Sequence, residues 1–290
     1  VKLFRNLFKR DPKLEDCIEG YLLYARVDRQ VSARTLKWYR IKLTKYQEWA
    51  REEQPGDGLT RDAFRLFILY LMDEEFAKAT IAGYVRTLRQ FGKWLLETGR
   101  LDHNPARTLK QPKLGDKPPK GISRADIRKI LAAVQDHPRN YAIICFLRDT
   151  GVRAGELLGL EWSDVNLEER TATVVGKGQK YRVVPFSKRT AEALRAYRES
   201  ELQQHRIFPL QYWGLRSLLN RLADQAETEG PVNAHAWRHA FGRDMSARGC
   251  PTTTLQRLLG HSTPQVTQIY VQYRTKELVD AYDNYSDALL

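Results

Sequence analysis

A proline- and lysine-rich tract cuts this chain of 290 residues in two. Residues 106–121 read ARTLKQPKLGDKPPKG. Pro112, Pro118 and Pro119 forbid a continuous helix there, because each lacks a backbone donor and fixes its own φ. Lys110, Lys113, Lys117 and Lys120 make the tract cationic. An extended segment of this composition is a linker. Each flank must then build its own core, and two domains are the better expectation at this length. The expected organisation is a tail over 1–11, a first domain over 12–105, the linker over 106–121 and a second domain over 122–290.

The first domain reads as helix almost throughout. Ser32 precedes a run with Leu36, Tyr39, Leu43, Tyr46 and Trp49 spaced by three or four, which predicts one buried helical stripe. Arg34, Lys37, Arg40, Lys42 and Lys45 fall off that stripe and form a basic face. Thr60 caps a second run through Phe64, Phe67 and Leu71. Thr80 opens a third, with Ile81, Tyr84, Leu88, Phe91 and Leu95 apolar and Arg86, Arg89 and Lys93 polar; Gly99 stops it.

The second domain opens at Ser123, whose spacing to Asp126 resembles a capping box. Helices are expected at 123–136, 139–150, 154–160, 188–204, 212–228, 236–248, 252–260, 264–273 and 275–288. Between 171 and 186 the texture changes. TATVV and YRVVPF flank Gly176-Lys177-Gly178-Gln179-Lys180, a β-hairpin signature. The fold class is mainly α: a helical N-terminal bundle and an α-rich C-terminal domain with a small β-hairpin or sheet.

Charge narrows the partner. The chain carries 48 Lys and Arg against 35 Asp and Glu, a net +13. Residues 1–120 hold 25 of the former and 16 of the latter. A polyanion is the natural partner of such a surface, although a solvated basic face gives the same numbers. A basic linker between basic domains suits a protein that wraps a duplex, or serves as a plain tether. No stretch approaches the 18 apolar residues of a spanning helix, so no membrane partner is expected. Val1–Arg10 is a short basic amphipathic pattern without the apolar run of a signal peptide; it reads as a docking or terminal helix, with membrane association a distant second. Cys17, Cys145 and Cys250 are too few and too scattered for a disulfide framework or a metal knuckle, which points to a reducing, cytoplasmic compartment.

Six polar residues of the second domain carry chemistry. Arg153, in Thr150-Gly151-Val152-Arg153-Ala154-Gly155-Glu156-Leu157, lies at a turn into a helix, where a guanidinium can take two phosphate oxygens in fork geometry. Glu156 can hold that arginine; the two also make an ordinary i, i+3 surface pair of little worth. Lys177 stands between glycines on the hairpin, where it can reach a nucleic-acid backbone and protonate a leaving oxygen, or simply complete a good turn. His235 and Arg238 share a helical face with His239. The i, i+4 histidines also match a zinc helix, but Ala236 replaces the glutamate of that motif and Arg238 would put a cation beside the ion. His261 follows Gly260 at a helix end and can donate to a phosphate oxygen or cap the helix. Tyr270 lies nine residues on. A phenol, with a pKa of about 10, attacks only with help from cations or a base; most of the 14 tyrosines here are expected to be core residues.

The stretches TGVRAGELLGLEW, VVGKGQKYRVVPF, HAWRHAFGRDM and LLGHSTPQVTQIY, in this order, resemble the tyrosine recombinases, or phage integrase family. The likeness spans about residues 12–285 and is nearest the Xer-like type, which has a helical core-binding domain and a catalytic domain. It implies that Arg153, Lys177, His235, Arg238 and His261 are catalytic and that Tyr270 is the nucleophile. It implies that helices around Arg34, Lys37, Arg40 and Lys45, and around Arg86, Arg89 and Lys93, face the DNA groove, with Lys180 and Arg182 as further DNA contacts. The pattern departs at Trp237, where the family commonly has Leu, and at Val271-Gln272-Tyr273, which replaces Thr-His and supplies Tyr273 as a rival phenol.

The resemblance further implies site-specific recombination through a 3′-phosphotyrosyl intermediate and a Holliday junction, without metal, ATP or any cofactor. The partners would be a double-stranded recombination site, four copies of the chain on it as a homo-tetramer or dimer of dimers, and an accessory protein in some systems. Residues 275–290, with Leu278, Val279, Tyr282, Leu289 and Leu290 on an apolar side, are expected to dock on a neighbouring protomer or to pack in cis. The rival readings are a type IB topoisomerase with the same chemistry, a DNA-binding scaffold without catalysis, and a zinc hydrolase built on His235 and His239.

Overall fold

The computed structural model describes residues 13–53, 58–113, 121–176, 179–200, 205–260 and 267. The chain divides into two compact units between Asp116 and Lys117. Among the described residues no helix is long and apolar enough to cross a membrane.

The first unit contains four helices: α1 (Leu14–Val27), α2 (Ala33–Glu53), α3 (Arg61–Asp73) and α4 (Lys78–Glu97). Local chemistry sets several of their ends. The Ser32 hydroxyl accepts from the Thr35 amide at 3.2 Å, and Thr60 accepts from Ala63 at 3.1 Å, so each satisfies a helix-end donor. Gly99 takes φ +66 just past α4, a left-handed stop that costs glycine little. Inside, Tyr46 meets Phe64 and Phe67 edge to face at 5.1 and 5.0 Å, an arrangement that adds to area burial.

Two expectations for this unit change. Helix α4 begins at Lys78 rather than Thr80, because the Ala77 carbonyl already accepts from Thr80 and Ile81. Lys42 is not on the solvated face: it is 6 % exposed. Its ammonium lies 3.5 Å from the Tyr84 ring centroid and 4.4 Å from that of Trp38. Burial, with Arg86 nearby, lowers its pKa to about 8. The ring faces partly replace water around the cation. Gly83 makes the room, since a Cβ there would come within 2.9 Å of Trp38.

The second unit wraps a central helix. After α5 (Arg124–Ala133), capped by Ser123, comes α6 (Pro138–Thr150), where Ile143 to Leu147 are buried without a break. A helix apolar all round belongs inside. Next come the short α7 (Ala154–Leu158) and a three-stranded antiparallel sheet in the order β1 (Val165–Asn166), β2 (Thr171–Val175), β3 (Tyr181–Pro185). The two-residue β1 is too short to show any periodicity in sequence. Helices α8 (Lys188–Ser200), α9 (Tyr212–Gln225), α10 (Ala234–Ala247) and α11 (Thr252–Leu259) complete the described unit. Helix α10 starts two residues before the expected 236, because Asn233 caps it by accepting from Ala236 at 3.0 Å. The expected helices at 264–273 and 275–288 lie outside the described residues, apart from Thr267, which is helical and buried.

Candidate active site

The site grows from two glycine turns. Gly151 ends α6 with φ +57, and a Cβ there would come within 2.7 Å of Phe241. Only glycine fits both the left-handed turn and that approach of α10. The turn makes Arg153 the N-cap of α7. Glu156, one turn on, accepts from the Arg153 amide at 2.7 Å and from its guanidinium at 2.8 Å. Gly260 ends α11 in the same left-handed form, φ +63, with the Arg182 side chain where a Cβ would stand.

The last carbonyls of any helix lack intrahelical partners. Here Arg182 Nε donates to Leu258 O at 3.0 Å, Arg238 donates to Leu259 O, and Arg153 donates to Gly260 O at 3.3 Å. Three guanidiniums from β3, α10 and α7 thus hold three successive carbonyls. The negative end of a helix dipole favours such cations. His261 is the next residue in sequence. Arg238 is 3 % exposed and also donates to Gly151 O at 2.8 Å, so it ties the end of α6 to the end of α11.

Arg182 is turned inward. It is directly opposite Val174 on β2 and shares the buried face of the sheet with Val184, as strand alternation requires. Its guanidinium makes a two-toothed pair with Glu156 at 2.6 and 2.8 Å. Its donors serve Glu156 and the Leu258 carbonyl.

Electrostatics follow from this packing. Burial alone would raise the Glu156 pKa, but hydrogen bonds from Arg182 and Arg153, with the Arg182 charge, overcome it and hold the carboxyl below its ordinary value. The His235 pKa is lowered by partial desolvation and then by Arg238 and Arg153. Burial, His235 and Arg238 lower that of His239. Both shifts favour the neutral ring, the form that can accept a proton. The two rings are 6.2 Å apart, and no group of three His, Cys, Asp or Glu side chains among the described residues is placed to hold a metal.

A depressed folded pKa gives stability that is complete above the unfolded carboxyl value, about 4.3, and is lost as pH falls through the folded one. Urea titrations from pH 7 to pH 3 should therefore show an acid loss of stability that is shallower in Glu156→Gln. The same variant should lose about 3 kcal/mol at pH 7, the lower end of what breaking a buried pair costs, because Arg153 keeps 38 % exposure. Equal acid slopes in the two proteins would count against this account.

The other expected residues divide. Lys177, His261, Tyr270, Tyr273 and the segments 1–11 and 275–290 lie outside the described residues. Trp237 is fully buried, so this departure from the usual Leu is a matter of core packing. In the first unit Arg34, Lys37 and Arg86 are exposed. Arg40 is paired with Glu19 at 2.9 Å and Lys93 with Glu97 at 3.3 Å, exposed pairs of small worth. Lys45 lies against Tyr70. Arg89 is only half-exposed and donates to the Leu109 carbonyl, which gives it a structural task that helix periodicity did not reveal. Lys180 is exposed after the hairpin turn.

Residues 120–277 match the phage integrase family, and residues 18–99 match the phage integrase N-terminal SAM-like domain. The chain is 30% identical to tyrosine recombinase XerC of Pediococcus pentosaceus, over 93% of this chain and 97% of that protein. It is 27% identical to tyrosine recombinase XerD of Listeria innocua, over 94% and 99%. The solved XerH site-specific recombinase, bound to palindromic difH substrate in a post-cleavage complex, gives a TM-score of 0.72 at 19% identity, covering 93% of this chain and 84% of that one. The Tn1549 transposon integrase in complex with transposon right end DNA gives 0.75 at 16%, covering 93% and 99%. Likeness at that identity concerns the fold.

Proposed function

This chain belongs to the phage integrase family, and from that premise we propose that it breaks and rejoins DNA strands at a specific site, with Tyr270 as nucleophile. The observation that supports this reading best is the arginine assembly at the end of α11. Arg153 and Arg238, from different helices, meet at Leu259 and Gly260, immediately before His261, with His235 close enough that both arginines help to lower its pKa. Cations held in advance where charge develops are the main resource of phosphoryl transfer.

The Tyr270 oxygen attacks a backbone phosphate in line, and the bond from phosphorus to the 5′ oxygen breaks. Arg153, Arg238 and His261 stabilise the non-bridging oxygens. Lys177 protonates the departing 5′ oxygen, and His235 takes the tyrosyl proton. The product is a 3′-phosphotyrosyl link and a free 5′ hydroxyl. The link is itself a phosphodiester, so the step needs no ATP, and the cations proposed to hold the phosphate are all side chains, so it calls for no metal. Attack by the 5′ hydroxyl of a second duplex reverses it and yields a Holliday junction. Two duplexes with two half-sites each call for four protomers, a homo-tetramer on DNA. The cytoplasm, the reducing compartment that the scattered cysteines suggest, is the proposed place of action.

The test is a trap on a duplex that the protein itself selects from a random-sequence pool. With a nick a few nucleotides 3′ of the cleavage position, the short fragment that bears the free 5′ hydroxyl diffuses away and a covalent adduct accumulates. We expect a slow band on a denaturing gel in EDTA. Absence of adduct on DNA that is demonstrably bound would leave the DNA-binding scaffold as the reading. Relaxation of plasmids lacking the selected site would instead indicate a type IB topoisomerase.

A further inference from the structure

We infer that Arg182 is a positioning residue for strand cleavage, acting through Glu156 and the end of α11 rather than on DNA. The inference rests on the proposed recombinase reading. Its guanidinium is 12 % exposed and Glu156 only 3 %. Its three nitrogens serve two different elements: Nε the Leu258 carbonyl, the other two Glu156 on α7. Gly260 lets the chain pass against its Cδ. One side chain on β3 therefore fixes the α7 carboxylate that holds Arg153, and also the helix end that precedes His261. Residue 177 lies between β2 and β3 in sequence, so the strand that bears Arg182 is also the one that follows the hairpin lysine.

Charge adds a second effect. Among the described residues, the charged groups that meet Glu156 are Arg153 from its own turn and Arg182 from β3. Two guanidiniums share one carboxylate, which leaves one net positive charge facing the phosphate. Without Arg182, Glu156 would belong to Arg153 alone. The pair would be neutral, and Arg153 would attract the developing charge less strongly. A lysine at 182 would keep the charge but not the fork.

Single-turnover cleavage and binding are measured on the pool-selected nicked duplex for wild type, Arg182→Met, Arg182→Lys, Glu156→Gln and Arg182→Met/Glu156→Gln. Arg182→Met should cleave about a hundredfold more slowly, the scale of a small displacement of a catalytic group. Its DNA affinity should hold, and the salt slope of binding should not change. The double variant restores the net charge and should recover roughly tenfold over Arg182→Met. Unchanged cleavage by Arg182→Met overturns the inference. So does a salt slope lower by about 0.9 with weaker binding, the mark of a lost phosphate contact. Strictly additive losses in the double variant also overturn it. Should Arg182→Met fail to fold, Arg182→Lys decides: about tenfold slower cleavage with intact folding supports the inference, and wild-type cleavage refutes it. If the wild type itself forms no adduct, the recombinase reading fails instead.

Discussion

A Tyr270→Phe protein is expected to bind its DNA like wild type and to form no covalent adduct, a loss of at least about a thousandfold. The substitution removes one oxygen and no charge at neutral pH, since a phenol titrates near 10. Affinity for DNA comes chiefly from phosphate neutralisation, so both the affinity and its salt slope should stand. The nucleophile assignment rests on the stretch LLGHSTPQVTQIY and the nine-residue step from His261 to Tyr270. Tyr273 is the competing phenol, and Tyr273→Phe should trap at the wild-type rate. The measurement is adduct against time on the nicked duplex for all three proteins. Persistent adduct in Tyr270→Phe, lost instead in Tyr273→Phe, would move the nucleophile three residues along the chain.

What the sequence made legible is chemistry that acts within a few residues. The hydroxyls of Ser32, Thr60 and Ser123 cap the helices expected of them because a cap is a contact over three positions. The hairpin strands were legible from their β-branched texture. Side-chain direction was harder. In Tyr181-Arg182-Val183-Val184 the two valines occupy opposite faces, so composition does not say whether arginine points in or out. The pairing with β2 settles it: Ala172 and Val174 are buried, and Arg182 lies with them. Helix periodicity puts Lys42 on a wet face, yet Tyr84, from a helix distant in sequence, receives it. The holding of three α11 carbonyls by Arg153, Arg182 and Arg238 spans separations of 107, 76 and 21 residues. No local pattern records contacts of that range.

Arg238 should be the residue whose loss harms both folding and cleavage, and two substitutions separate the effects. Arg238→Ala removes the donors to Gly151 O and Leu259 O in a buried setting. A buried acceptor left unpaired costs about 1–3 kcal/mol. Two of them, with the lost volume, should cost about 3–5 kcal/mol, a large part of the usual 5–15 kcal/mol of a domain. Arg238→Lys keeps a charge near the site but replaces a planar fork with one flexible ammonium, which cannot hold the two carbonyls in the same geometry. The α10 helix would still form, because Asn233 caps it independently. Lysine should therefore retain most of the stability and nearly all the DNA affinity, while cleavage falls about a hundred- to a thousandfold, the usual cost of losing one transition-state donor. Urea unfolding, DNA titration and single-turnover cleavage measure the three quantities separately. Wild-type cleavage by Arg238→Lys would reduce Arg238 to a buttress between α6 and α11. Cleavage lost in proportion to stability would say the same, because a group that acts on the transition state must cost rate in a protein that is still folded and still bound.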